Sequence, residues 1–157
     1  ELKSFGLTWE NPPARTEPFN TKFYSGRKSD GTLIEHSLTD VNVVDDDGKA
    51  VMDPMTGKQM VQLGLKGIWV EKTKQTAQGR LNKHDWMITR KAEKGTEIPS
   101  DVTTYRDSIR TKCAQIEASI NNCSNLKEFM ALFDVPLDSE GNPTGDNPPI
   151  FDFPNEI

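Results

Sequence analysis

Two histidines, two cysteines and a large acidic complement are the side chains that could carry chemistry in this sequence. Nucleophilic catalysis needs a hydroxyl or thiol brought beside an imidazole. His36 falls in a strand-like pattern and His84 stands immediately before Asp85. Neighbours in sequence on a helix point in different directions, so Asp85 is poorly placed to orient the His84 ring. Cys113 and Cys123 lie ten residues apart on one apolar face, about 15 Å along a helix that rises about 1.5 Å per residue. That separation is too long for a disulfide, and a thiol on an apolar face acts as a small hydrophobe. Two unpaired thiols fit assembly in a reducing cytoplasm.

The acidic runs look more like turns than ligand sets. Asp45-Asp46-Asp47-Gly48 lacks the alternate oxygens and closing glutamate of an EF-type calcium loop, so a glycine-closed hairpin is expected there. Asp138, Glu140, Asn142, Thr144 and Asp146 do alternate, but Pro143 interrupts them and the closing glutamate is missing. Gly57-Lys58 lacks the upstream glycine and following hydroxyl of a phosphate loop. The expectation is a protein that is not an enzyme, with no catalytic, cofactor or metal residues.

What remains is recognition and helix register. Asp85 with Arg106 and Arg110, one turn apart on the following helix, predicts a charge-assisted bridge between two helices. Trp86, beside Asp85, reads as a core ring whose truncation to alanine would cost about 3–5 kcal/mol.

These residues must be positioned by a modest core. Hydrophobic content is 34% and mean hydropathy is -0.67, so much polar loop is expected around one domain or two small ones. Net charge is -5 with both signs interspersed, which offers phosphate backbones no basic face, and no nucleic-acid partner is expected. No apolar run nears the roughly 20 residues that cross a bilayer, and the first residues lack a signal-peptide pattern. A soluble chain without a membrane partner or cleaved signal is expected.

The fold class expected is α+β: a small antiparallel N-terminal sheet, then a helical hairpin or three-helix module, then an extended Pro-rich tail. Residues 1–73 form the β-rich region, 74–134 the helical module and 135–157 the acidic tail. Phe5, Trp9 and Phe19 lie among prolines, which suits an extended aromatic arm. That arm packs on its own domain or reaches a neighbouring subunit. From 20 to 73, Ser29-Asp30-Gly31, Asp45 to Gly48 and Asp53 to Gly57 punctuate three to five meandering strands. The clearest strand puts Val61, Leu63, Leu65 and Trp69 on one face by alternation. Gly64 and Gly67 mark a bulge or a close backbone approach.

A helix is expected from Lys74 to Lys94, buried through Ala77, Leu81, Ile88 and Ala92 and stopped by Gly95. A longer helix starts at the N-cap Ser100 and steps through Val102, Tyr105, Ile109, Cys113, Ile116, Ile120 and Cys123. Ser124 caps a last helix with Leu126, Phe129, Met130 and Phe133 inward. In the tail, Ile150, Phe151 and Phe153 dock onto the domain or a partner.

The run Arg80-Leu81, Asp85-Trp86, a Pro-containing linker, Tyr105-Arg106 and Ile109-Arg110 resembles the tail assembly chaperone-like family of tailed bacteriophages. The resemblance covers about a third of the chain, residues 74 to 123. That module also occurs within phage tail-fibre and tail structural proteins. The resemblance makes Leu81, Asp85, Trp86, Tyr105, Arg106, Ile109 and Arg110 the helix-register motif. The long helix beyond Arg110, the extra helix and the whole β region depart from the module. The resemblance therefore implies a virion structural protein of the tail, a connector near fibres or baseplate, above a transient assembly chaperone. The implied partners are other tail proteins of the fibre, baseplate or tube, together with further copies of the chain. The implied location is the virion tail, assembled in the bacterial host cytoplasm. Phe5, Trp9, Phe19, Phe151 and Phe153 are the candidate interface. A host-glycan module is a further alternative, with Trp9 or Trp69 as its aromatic platform.

Overall fold

The computed structural model describes residues 18–157, so Phe5 and Trp9 lie outside the described residues. From Leu65 onward an apolar or small residue recurs every fourth position: Leu65, Trp69, Thr73, Ala77 and Leu81. This helical period overrides the alternation of Val61, Leu63 and Leu65. The strand expected to run through Trp69 ends at Gln62, and α1 spans Leu65–Asn82. The helix buries Leu65, Thr73 and Ala77, burial that a two-residue ladder could not supply. The division expected after residue 73 consequently falls inside α1.

Gly64 decides how α1 begins. The N–H groups of Leu65 and Lys66 donate to the carbonyls of Ser37 and Leu38 at 2.8 and 3.0 Å. The Gly64 N–H donates to Asp40 Oδ1 at 2.9 Å. Backbone 37–40 thereby satisfies donors that a helix start leaves open. A Cβ on Gly64 would sit 2.4 Å from the Thr39 carbonyl. Gly64→Ala should destabilise by about 1–3 kcal/mol because rigid backbone must move, and urea unfolding checks this. An unchanged midpoint would refute the close approach.

α3 spans Ser100–Asn122 and runs antiparallel to α1, as Lys66 reaches the Asn121 carbonyl while Arg106 reaches that of Leu81. Its expected stripe holds: Val102, Tyr105, Ile109, Ile116, Ile120 and Cys123 are buried and Cys113 is half-buried. Thr73 and Ala77 are small where the helices face. Thr73 satisfies its buried hydroxyl on the Trp69 carbonyl at 2.8 Å. The N-cap is Pro99 rather than Ser100, which is the first helical residue.

The helix expected from Lys74 to Lys94 is broken. α1 ends at Asn82, and α2 spans Asp85–Lys94 after a Lys83–His84 elbow. α2 buries none of its residues: Ile88 is exposed, as are Ala92 and Trp86. Gly95 ends it as expected, at φ 68° with its N–H on the Lys91 carbonyl.

α4 spans Leu126–Ala131. Its cap is Asn125 rather than Ser124: Asn125 Oδ1 accepts from the Glu128 N–H at 2.9 Å. Glu128 in turn accepts from the Ser124 N–H at 2.6 Å, a reciprocal cap displaced by one residue. Phe129 is fully buried, with Leu126 beside it.

The tail is less extended than expected. A 3-10 turn at Pro149–Phe151 sets Ile150 and Phe153 into the core. Arg80 donates to the Pro154 carbonyl, Lys83 pairs with Glu156 at 2.6 Å, and Lys112 pairs with Asp152. Phe153, expected as an interface residue, is thus core within its own chain. Its ring lies under the Arg80 guanidinium at 5.2 Å.

The α+β class and the order of sheet before helices hold. The strands, however, form two separate antiparallel ladders rather than one meander. β1 (Tyr24–Arg27) pairs with β2 (Leu33–Glu35), and β3 (Val41–Asn42) pairs with β4 (Val61–Gln62). The Ser29-Asp30-Gly31 turn forms as expected, with Gly31 at φ 89°.

Candidate functional site

Beyond β3 the backbone makes a three-way junction. The Val43 N–H donates to the Met60 carbonyl at 2.9 Å, Met60 to Val51 at 2.8 Å, and Val51 to Val43 at 3.0 Å. Three short ladders meet at this ring of bonds: the β3–β4 stem and two hairpins bridged at Val44 with Ala50 and Met52 with Gln59. The expected aspartate–glycine turns make the tips. Asp45 Oδ1 accepts from the Asp47 and Lys49 N–H groups, and Asp53 Oδ1 from those of Met55 and Thr56. The Thr56 N–H, then that of Met55, holds the Asp53 carboxyl below its ordinary value of 3.8. That cap stabilises its tip above pH 3.8 and is lost as pH falls through the depressed value. Gly48 and Gly57 close the tips at φ 77° and 66°.

Among the described residues this arm, residues 40–63, has no second layer, so its apolar side chains face solvent. Val41, Val44, Met52, Met60, Val61 and Leu63 are all exposed, and Met55 at the second tip is 94% exposed. Exposed large apolar side chains gathered on one segment in this way mark a contact site. Five aspartates against two lysines make the arm acidic. Sequence reasoning placed strands here but missed the surface. The signal was three apolar pairs, Val43-Val44, Val51-Met52 and Met60-Val61, packed between turn residues too close together to build a second layer.

The register motif converges on the elbow between α1 and α2. Arg106, only 7% exposed, donates Nη1 to the Leu81 carbonyl at 2.7 Å and Nη2 to Asp85 Oδ1 at 2.8 Å. One guanidinium therefore ties the C-terminus of α1 to the first residue of α2, spanning a carbonyl and a carboxylate rather than gripping the carboxylate with both nitrogens. Arg110, expected beside it, pairs with Asp107 on the surface of its own helix at 2.8 Å. Tyr105 is buried edge-on to His84, ring centroids 5.7 Å apart.

Trp86 is the largest correction. It is 54% exposed, with the Arg90 guanidinium 4.8 Å from its ring centre. α1 ends before this ring, and α2, which carries it, buries none of its residues. Trp86→Ala should therefore cost about 1 kcal/mol or less, the scale of an exposed cation–π contact, instead of the expected 3–5 kcal/mol. Calorimetry of the variant decides between the two placements.

The remaining candidates land in structural roles. Trp69 is half-buried, edge-on to Phe133 and Phe151 at 4.7 and 6.0 Å, with the Lys22 and Lys72 ammonium groups 5.5 and 4.4 Å away. Phe151 is part-exposed within that aromatic group, and Phe19 is half-buried. An open groove of about 530 Å³ passes Trp69, Lys22, Lys72, His36 and Leu63 between the first hairpin and α1. Cys113 is pushed up to about 11 by burial and by its hydrogen bond to Glu117, so its thiol stays protonated at neutral pH. Burial likewise raises Cys123. The alternating oxygens of the tail form a turn: Asp138 Oδ1 accepts from the Glu140 and Asn142 N–H groups. Among the described residues, no three His, Cys, Asp or Glu side chains gather as a metal site, and no helix is long and apolar enough to cross a membrane.

No family model, no curated protein and no solved structure matches the chain.

Proposed function

We propose that the chain is a non-enzymatic structural protein of a bacteriophage tail, a connector near fibres or baseplate that works through protein–protein contacts. The observation that carries the contact role is the exposed arm. Among the described residues the body holds a core of its own, built from Phe23, α1, α3, α4 and the tail. The arm adds nothing to it and presents methionine and valine to solvent. Methionine suits such a surface because its flexible, polarizable side chain adapts to a partner. The tail assignment is supported by the resemblance of Arg80-Leu81, Asp85-Trp86, Tyr105-Arg106 and Ile109-Arg110 to the phage module, and by the Asp85–Arg106 pair within that motif. On this reading the chain folds in the host cytoplasm and stays in the virion beside other tail proteins.

Mass spectrometry of purified particles tests the proposal. The expected result is the chain in multiple copies per particle. Its presence in infected cells and absence from particles would overturn the structural role in favour of an assembly chaperone.

A further inference from the structure

The arm and the elbow lie at opposite ends of α1. The arm joins the helix at Gly64, whereas α2 departs after Asn82. Eighteen helical residues separate them, about 27 Å at about 1.5 Å per residue. The two ends differ in charge and chemistry. The first tip of the arm carries Asp46 and Asp47, exposed and without a side-chain partner among the described residues, and its second hairpin carries the exposed methionines Met52 and Met55. α2 carries Trp86, Arg90 and Lys94 at four-residue spacing, hence on one face that Glu93 shares, with the Arg90 guanidinium stacked on the exposed indole.

We propose that these two surfaces are the halves of one contact between copies of this chain: the acidic methionine arm of one copy docks on the Trp86–Arg90–Lys94 face of the next. The inference rests on the reading of the chain as an assembly protein and names its partner. Charge complementarity selects the second copy, since the arm carries five aspartates against two lysines where the α2 face carries Arg90 and Lys94 against Glu93 alone, and within one chain α1 holds them apart. Methionine sulfur against an indole ring is a favourable pairing, and tryptophan, arginine and methionine are enriched at interface centres. Unlike surfaces at opposite ends make the contact head-to-tail. Such a contact propagates and closes into a ring when the rotation between copies allows.

Sedimentation velocity on the full chain across a concentration series tests this. Wild type should grow beyond a dimer with concentration, and less readily as salt rises. Met52→Asp with Met55→Asp removes the arm half, and Trp86→Asp removes the α2 half. All three positions are exposed, so circular dichroism should match wild type. Each variant alone should associate at least about tenfold more weakly. Mixed together they should form a one-to-one dimer and nothing larger, because one intact arm meets one intact α2 face. Wild type that stays monomeric at every concentration, or mixed variants that stay apart, would overturn the contact. A monomeric chain still found in particles would leave the tail reading standing, whereas a self-associating chain absent from particles would overturn that reading alone.

Discussion

Phe129→Ala should lower stability by about 3–5 kcal/mol, which in a chain of this size moves the thermal midpoint down by roughly 10–15 °C. Phe129 is 0% exposed, on the short helix α4. Its ring lies edge-on to Phe23 at 6.3 Å and to Phe133 at 5.5 Å. These neighbours come from the segment before β1 and from the turn after α4, so the ring joins the N-terminal part of the described chain to the helices. Truncation loses the transfer energy of the ring and leaves a cavity that rigid helices fill only in part. Phe129→Leu retains most of the volume and should cost less. A loss below about 1 kcal/mol for the alanine variant, measured by calorimetry, would show that the site collapses and that the aromatic group does not hold the fold.

Asp85→Ala should destabilise by about 2–3 kcal/mol, despite Asp85 being half-exposed, because of what it strands. The Arg106 side chain is 9% exposed and would keep its charge in the interior with only the Leu81 carbonyl as partner. Removing one member of a buried pair typically costs about 3–5 kcal/mol, and the solvent access of Asp85 reduces that figure. Replacing both residues, Asp85→Ala with Arg106→Met, removes the stranded charge and substitutes apolar volume of similar length. The double variant should therefore be more stable than Asp85→Ala alone. Urea unfolding of the two single variants and the double variant closes the cycle. Additive losses would show that the guanidinium does not couple α1 to α2.

The two variants probe different parts of what α3 organises. Its stripe was legible in the sequence because Val102, Tyr105, Ile109, Ile116 and Ile120 repeat at helical spacing over six turns, and a long amphipathic helix leaves few alternatives. The turn tips were legible for a local reason as well. An aspartate before a glycine satisfies nearby backbone donors whatever surrounds it, as Asp45 and Asp53 both do. Asp85–Arg106 was legible from charge and spacing, although the choice of Arg106 over Arg110 was not. The two arginines lie four residues apart on one side of the helix, and only packing shows that the first faces the end of α1.

Elsewhere two periods competed. Val61, Leu63, Leu65 and Trp69 alternate like a strand, while Leu65, Trp69, Thr73, Ala77 and Leu81 repeat like a helix. Both patterns share Leu65 and Trp69, so local spacing could not choose between them. Burial against α3 chose the helix. Trp86 failed differently. Lys74 to Lys94 carries no proline and no strong breaker, so nothing local announces the elbow at Lys83–His84. The bend is held because Arg106 binds the Leu81 carbonyl and the first α2 carboxylate together, an interaction between residues 25 and 21 positions apart.

The sequence by itself thus determined the α+β class, the turns and the inward face of α3, all of which depend on interactions within a few residues or along one helix. Only the tertiary structure decided where α1 begins, that Phe153 belongs to the core, and that Trp86 faces solvent. Each of those outcomes depends on a backbone contact or a buried charge between distant segments: Gly64 against Thr39, Arg80 on Pro154, and Arg106 on Leu81 and Asp85. Spacing along the chain does not encode such meetings, because they arise only once the helices have packed.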